Sequence, residues 1–184
     1  KTNLKKDYNL NSYCIYNPLD LRKIQKEGKK KLYLPFFDNF KKSLKIISVG
    51  RLVDQKDQIT ILRAINNLKN KIKIKLIIIG RGKEKNNLIN FINQNKLNNF
   101  IQIKGPNKNV YNYLRSADLF ILSSKYEGLP NVLLEALTFK KFVISTNCST
   151  GPSEILVNGK GGILVPIKNS RKMADNIVYY YRNK

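Results

Sequence analysis

Residues 119–137 read Leu119-Phe120-Ile121-Leu122-Ser123-Ser124-Lys125-Tyr126-Glu127-Gly128-Leu129-Pro130-Asn131-Val132-Leu133-Leu134-Glu135-Ala136-Leu137. Four consecutive apolar residues fit a short strand buried on both faces. A polar, glycine-containing loop follows, and then a helical pattern that continues to Phe139. Pro130 suits a first helical turn, where its missing N–H costs nothing. The free main-chain N–H groups around Gly128 to Val132, those of Gly128, Leu129, Asn131 and Val132, would then gather at a helix N-terminus, which favours anions and hydroxyls. Glu127 lies just before that helix and Glu135 lies inside it, so both carboxylates can flank one pocket.

The same strand–loop–helix unit recurs on either side. Ile46 to Val49 is a short apolar run ended by Gly50, and Ile59, Ile61, Leu62, Ile65 and Leu68 follow at helical spacing. Ile72 to Ile79 reads as a strand closed by Gly80, with a helix around Leu88, Ile89 and Ile92. Ile101 to Ile103, Phe142 to Ser145 and Ile163 to Val165 are further strands; Val110 to Leu114 and Met173 to Tyr181 are helices. Strand and helix alternate about six times, which predicts an α/β fold: a Rossmann-like parallel sheet of about six strands with helices on both faces. Ligands of such sheets bind beyond the strands' carboxyl ends. Residues 1–44 read as an irregular, polar lead-in. They hold one apolar piece, Tyr13 to Tyr16, and a turn at Asn17-Pro18-Leu19-Asp20. Residues 45–184 read as the folded domain.

Loops after the strands carry the candidate chemistry. After the first strand, Gly50-Arg51-Leu52-Val53-Asp54-Gln55-Lys56 sets Arg51 and Lys56 just before a helix. A guanidinium can fork two phosphate oxygens, and an ammonium adds a point charge. After the second, Gly80-Arg81-Gly82-Lys83 offers glycines that would admit a ligand close to the backbone. The spacing is not that of the dinucleotide fingerprint.

Composition narrows the classes. The 184 residues carry 35 Lys and Arg against 12 Asp and Glu, a formal charge of +23, with no histidine and two cysteines, Cys14 and Cys148. Imidazole metal sites and Ser-His-Asp machinery are excluded within this chain. Two cysteines make neither a disulfide framework nor a metal cluster. The lysines form no dense block and arginines are few, so the charge reads as compositional bias with a general pull on anions, not as a specific nucleic-acid site. No apolar run approaches the ~20 residues that span a bilayer, and the charged start lacks the apolar core of a signal peptide. A reduced cytoplasmic setting is expected.

Taken in order, the segments GRLVDQK, GRGKEKNNL, ADLFILSSKYEGLPNVLLEAL with its Glu-x7-Glu pair, and GPSEIL followed by VNGKGGILVP resemble the retaining GT-B glycosyltransferases of family 4 over residues 45–166. The resemblance implies the C-terminal, donor-binding half of a GT-B fold. It implies that Arg51 and Lys56 bind the donor diphosphate, that Gly50 and Gly82 belong to the donor-binding site, and that Glu135 binds ribose hydroxyls. Glu127 and the groups of Gly128, Leu129, Pro130, Asn131 and Val132 would hold the transferred sugar and distal phosphate. Asn107 would touch the base. Catalytic roles would fall to Arg51, Lys56 and Glu127. The implied donor is a nucleotide-sugar, a UDP-hexose or UDP-N-acetylhexosamine, used without a metal or other cofactor. The implied acceptor is a lipid-linked glycan or surface polysaccharide met at the inner face of the membrane. An N-terminal acceptor domain would be supplied from outside this sequence, and the chain alone would then be inactive. Two departures stand out: that missing half, and Asn147, where similar sequences tend to show an acidic residue. A nucleotide-sugar-binding module without catalysis and a basic nucleic-acid or lipid-surface binder remain the alternatives.

Overall fold

The computed structural model describes residues 8–11, 17–38 and 42–184. The apolar piece at Tyr13 to Tyr16 and the first seven residues lie outside them. Six strands form one sheet: β1 (Leu44–Val49), β2 (Ile74–Ile79), β3 (Ile101–Lys104), β4 (Leu119–Leu122), β5 (Phe142–Thr146) and β6 (Ile163–Val165). Their order is β3-β2-β1-β4-β5-β6, and every pairing is parallel.

The continuous apolar runs are explained by two cores. Ile46, Leu76, Ile78, Leu119, Ile121 and Ile144 face α3 (Gln58–Leu68), α4 (Lys85–Gln94) and α8 (Ser170–Asn183), meeting Ile61, Ile65, Leu88, Met173 and Ile177. Their strand neighbours Ile47, Ile77, Ile79, Phe120, Leu122 and Val143 face the other side, meeting Tyr113 and Leu114 of α5 (Tyr111–Ser116) and Leu133 and Ala136 of α6 (Asn131–Thr138). A strand with both faces buried has no polar alternation to show.

The reading of residues 1–44 as irregular is overturned for its second half. Helix α1 (Leu21–Gly28) starts where the Asp20 carboxylate accepts from Lys23 N at 2.9 Å, and a turn of helix, α2 (Pro35–Asp38), follows. Ile24, Leu34 and Phe37 are buried, and α1 packs on α5 and α6. Gly28 fits because any Cβ there would lie 2.5 Å from the Phe139 ring. The helix is only eight residues long with two large apolar side chains, Leu21 and Ile24, too few to establish a repeat; the Asp20 cap was the readable signal.

Smaller differences have local causes. Strand β2 begins at Ile74, not Ile72, because Lys71 N and Ile72 N still donate to Leu68 O at the end of α3. Pro130 is not in the first turn of α6 but precedes it as an extended N-cap. A turn of helix over Pro152–Ile155 (α7) was not anticipated. Asn147 is exposed and donates from its main chain to Val165 O at 2.7 Å, joining the loop after β5 to the end of β6.

Candidate functional site

The sheet order places the point where the chain reverses its direction of travel between β1 and β4. Ligand crevices of doubly wound sheets open there, beyond the strands' carboxyl ends. The loops leaving β1 and β4 are also the two that the sequence singles out. They are zipped together over a separation of about seventy residues. Lys125 N donates to Gln55 O at 2.8 Å, and Gln55 Nε2 donates to Tyr126 O at 2.9 Å. Ser123 Oγ donates to Lys56 O at 2.7 Å, and Lys125 pairs with Asp54. That lysine's hydrogen bond holds the exposed Asp54 carboxyl below its ordinary range.

At the centre, Lys56 Nζ pairs with Glu127 Oε1, and Ser124 Oγ donates to the same oxygen at 2.5 Å. The Lys56 and Glu127 side chains are only 15% and 7% exposed. Arg51 differs: it is exposed, and its Nη2 donates to Gln55 Oε1 at 3.2 Å. Gly128 lies open, while the turn it begins is held from behind. Thr150 Oγ1 donates to Glu127 O, and Gly151, at φ +85°, packs so tightly that a Cβ would lie 2.1 Å from Gly128 O. Among the described residues no hydrogen bond reaches the main-chain N–H of Gly128, Leu129, Asn131 or Val132. Asn131 Oδ1 is buried without a partner at the same helix end. Free donors at a helix N-terminus, two cations and a buried acceptor thus converge on one crevice.

Glu135 sits one turn further into α6, half-buried, where Tyr111 OH approaches its Oε1 at 3.5 Å. Burial lifts the Glu135 carboxyl above its ordinary value of 4.5, and the tyrosine's hydrogen bond partly offsets this. Gly50, Arg51 and Asn107 line a mostly apolar pocket of about 250 Å³ with Val49, Ile79 and Val110. Asn107 is exposed, its Oδ1 accepting from Asn109 N at 2.9 Å. Gly82 does not line that pocket. A Cβ on Gly80 would lie 1.9 Å from Gly50 O, and one on Gly82 would lie 2.1 Å from Leu52 O. These glycines admit the backbone of the β1 loop, which gives both positions a packing reason. Gln55, Ser123, Ser124, Tyr111 and Thr150 escaped the sequence reading, since ordinary polar residues in loops carry no signal of partners so far along the chain. Among the described residues no group of three or more Asp, Glu, Cys or His could hold a metal ion.

Fold and loops together define a doubly wound α/β domain whose switch point presents cations and a helix terminus to an anionic ligand. Residues 31–184 match the family model for glycosyl transferases group 1, and the chain belongs to that family of enzymes. It is 39% identical over 143 residues to an uncharacterised glycosyltransferase of Methanocaldococcus jannaschii, covering 77% of this chain and 35% of that protein. It is 31% identical over 159 residues to a Campylobacter jejuni N-acetylgalactosamine-N,N'-diacetylbacillosaminyl-diphospho-undecaprenol 4-alpha-N-acetylgalactosaminyltransferase, covering 86% and 41%. Among solved structures, a variant of TarM from S. aureus in complex with fondaparinux, alpha-GlcNAc-glycerol and UDP superposes with a TM-score of 0.71 at 27% identity, over 76% of this chain and 29% of that one. The chain thus spans well under half the length of these proteins.

Proposed function

We propose that this chain is the donor-binding part of a glycosyltransferase that takes a UDP-hexose or UDP-N-acetylhexosamine and transfers the sugar with retention. The observation that carries the reading is the convergence of Arg51, Lys56, Glu127 and the free N–H groups of α6 on the crevice between β1 and β4. Arg51 and Lys56 bind the diphosphate and stabilise the charge it gains as the bond from the anomeric carbon to the distal phosphate oxygen breaks. Glu127 and Asn131 accept from sugar hydroxyls, Glu135 accepts from the ribose, and the base enters the pocket beside Asn107. Side-chain cations and the helix terminus supply the positive charge at the diphosphate in this account, so no metal is required. The acceptor is a lipid-linked or polysaccharide glycan at the inner face of the membrane, held by a second domain. The Campylobacter relative's diphospho-undecaprenol substrate and the UDP in the TarM complex support this assignment.

Calorimetric titration tests it. The chain should bind UDP and UDP-sugars equally well with and without EDTA, and ligand at about 100 times its Kd should raise stability by roughly 2.7 kcal/mol. No response to millimolar UDP, or a response matched by single-stranded DNA at equal phosphate concentration, would make the crevice a general anion trap.

A further inference from the structure

We infer that Glu127 sets this site's preference between the sugar-bearing donor and the bare nucleoside diphosphate, by competing with the diphosphate for Lys56; the inference rests on the donor reading above. The Lys56 ammonium is engaged by Glu127 Oε1. Both partners are pinned through their backbones. Ser123 Oγ holds Lys56 O at 2.7 Å, and Thr150 Oγ1 holds Glu127 O. Ser124, whose Oγ donates to Glu127 Oε1, is fully buried, and its carbonyl is held by Thr146 Oγ1 at 2.6 Å. The carboxylate therefore cannot leave with its loop when a phosphate arrives. Glu127 Oε2, by contrast, has no hydrogen-bond partner among the described residues.

A phosphate oxygen that takes over Lys56 leaves a nearly buried carboxylate short of its cation and close to a second negative charge, which is unfavourable on both counts. A donor sugar offsets this, because its hydroxyls can donate to Oε2 and to the vacated position on Oε1. UDP has the phosphates but no such hydroxyls at that end. Glu127 thereby weakens UDP more than UDP-sugar. Once the sugar has been transferred, the same carboxylate favours release of the nucleotide, a step that often limits turnover.

The experiment is calorimetric titration of UDP and UDP-N-acetylglucosamine, repeated with UDP-glucose, into the chain and its Glu127→Gln, Glu127→Asp, Lys56→Met and Lys56→Met/Glu127→Gln variants, each checked for folding by thermal melt. Glutamine keeps the shape and the acceptor for Ser124 but removes the charge. Glu127→Gln should bind UDP about tenfold tighter, the scale of one charge-assisted hydrogen bond, without a matching gain for the UDP-sugars. Glu127→Asp should gain less, and in the Lys56→Met background the Gln change should bring no gain for UDP. Unchanged or weaker UDP binding by Glu127→Gln, or an equal gain with Lys56 already removed, overturns the competition while leaving the donor reading intact. Absence of binding by the unaltered chain to all three ligands overturns the donor reading and this inference together.

Discussion

At the scale of single residues, the two carboxylates of α6 and its approach are separable by environment. Glu127 is held by a cation and a buried hydroxyl, whereas Glu135 faces a tyrosine and is raised by burial. Removing Glu135 should weaken UDP and UDP-sugars alike, by ~1.5–3 kcal/mol, because both share the ribose; calorimetry on Glu135→Ala checks this, and a loss confined to the sugar nucleotide would contradict it. The raised carboxyl also predicts a pH dependence. A folded-state value above the unfolded one means the native chain holds more protons in the interval from 4.5 up to the raised value. Stability from this group is therefore fully present below 4.5 and is lost as pH rises through the folded value. UDP affinity should move the opposite way over that interval, since ribose hydroxyls need the ionised acceptor. Asp57, also raised by burial, adds a slope of the same sign, so the measurement is the difference in denaturation and titration curves between the native chain and Glu135→Gln. Identical curves would remove Glu135 as their source.

At the scale of elements, the site is two loops held by a third. The loop after β5 reaches under the β4 loop through Thr150 and Gly151. Gly151→Ala brings a Cβ to 2.1 Å from Gly128 O at a φ that disfavours side chains, and strain of this kind costs about 1–3 kcal/mol. Denaturant unfolding should show that loss, and UDP-sugar binding should fall with it because the Gly128 turn must shift. Full affinity in the alanine variant would mean that this turn takes no part in binding. The sheet was legible in the sequence because most strands centre on a run of apolar residues ended by a polar loop, and β4 and β6 fall on their expected residues. Helix α1 was not, since its eight residues hold only two large apolar side chains, Leu21 and Ile24, too few to stand out as a repeat. The loops of the site were legible where charge or glycine marked them, at Arg51, Lys56 and Glu127. What joins them was not: the pairing of Lys56 with Glu127 and the Gln55 and Ser123 links depend on β1 and β4 lying side by side, which spacing along the chain does not encode.

At the scale of the whole molecule, charge and site must be kept apart. The chain carries +23, and its larger grooves, of about 630 and 450 Å³, lie away from the strands' carboxyl ends. They are edged by Lys42, Lys69, Lys71, Lys73, Arg171 and Arg182, so any anion will be drawn to them weakly. A donor crevice alone also does not make a transferase. Holding the acceptor in line with the donor carbon can contribute ~7–11 kcal/mol of barrier reduction, and among the described residues no second layered domain faces the crevice. Incubated with labelled UDP-sugars and lipid-linked acceptors, this 184-residue chain should show at most slow donor hydrolysis; robust transfer would mean that the acceptor site is built from these residues too.

The central claim, a specific nucleotide-sugar crevice between β1 and β4, is tested most directly by mapping amide chemical shifts as UDP is titrated into the isotope-labelled chain in EDTA and at 0.15 M salt, about the ionic strength at which exposed charges are screened within ~8 Å. The account predicts saturable shifts at Gly50 to Lys56, at Asn107 and from Glu127 to Glu135, with the lysine-lined grooves unmoved. Shifts spread over Lys69 to Lys73 and Arg171 to Arg182, with the β1 and β4 loops silent, would contradict it.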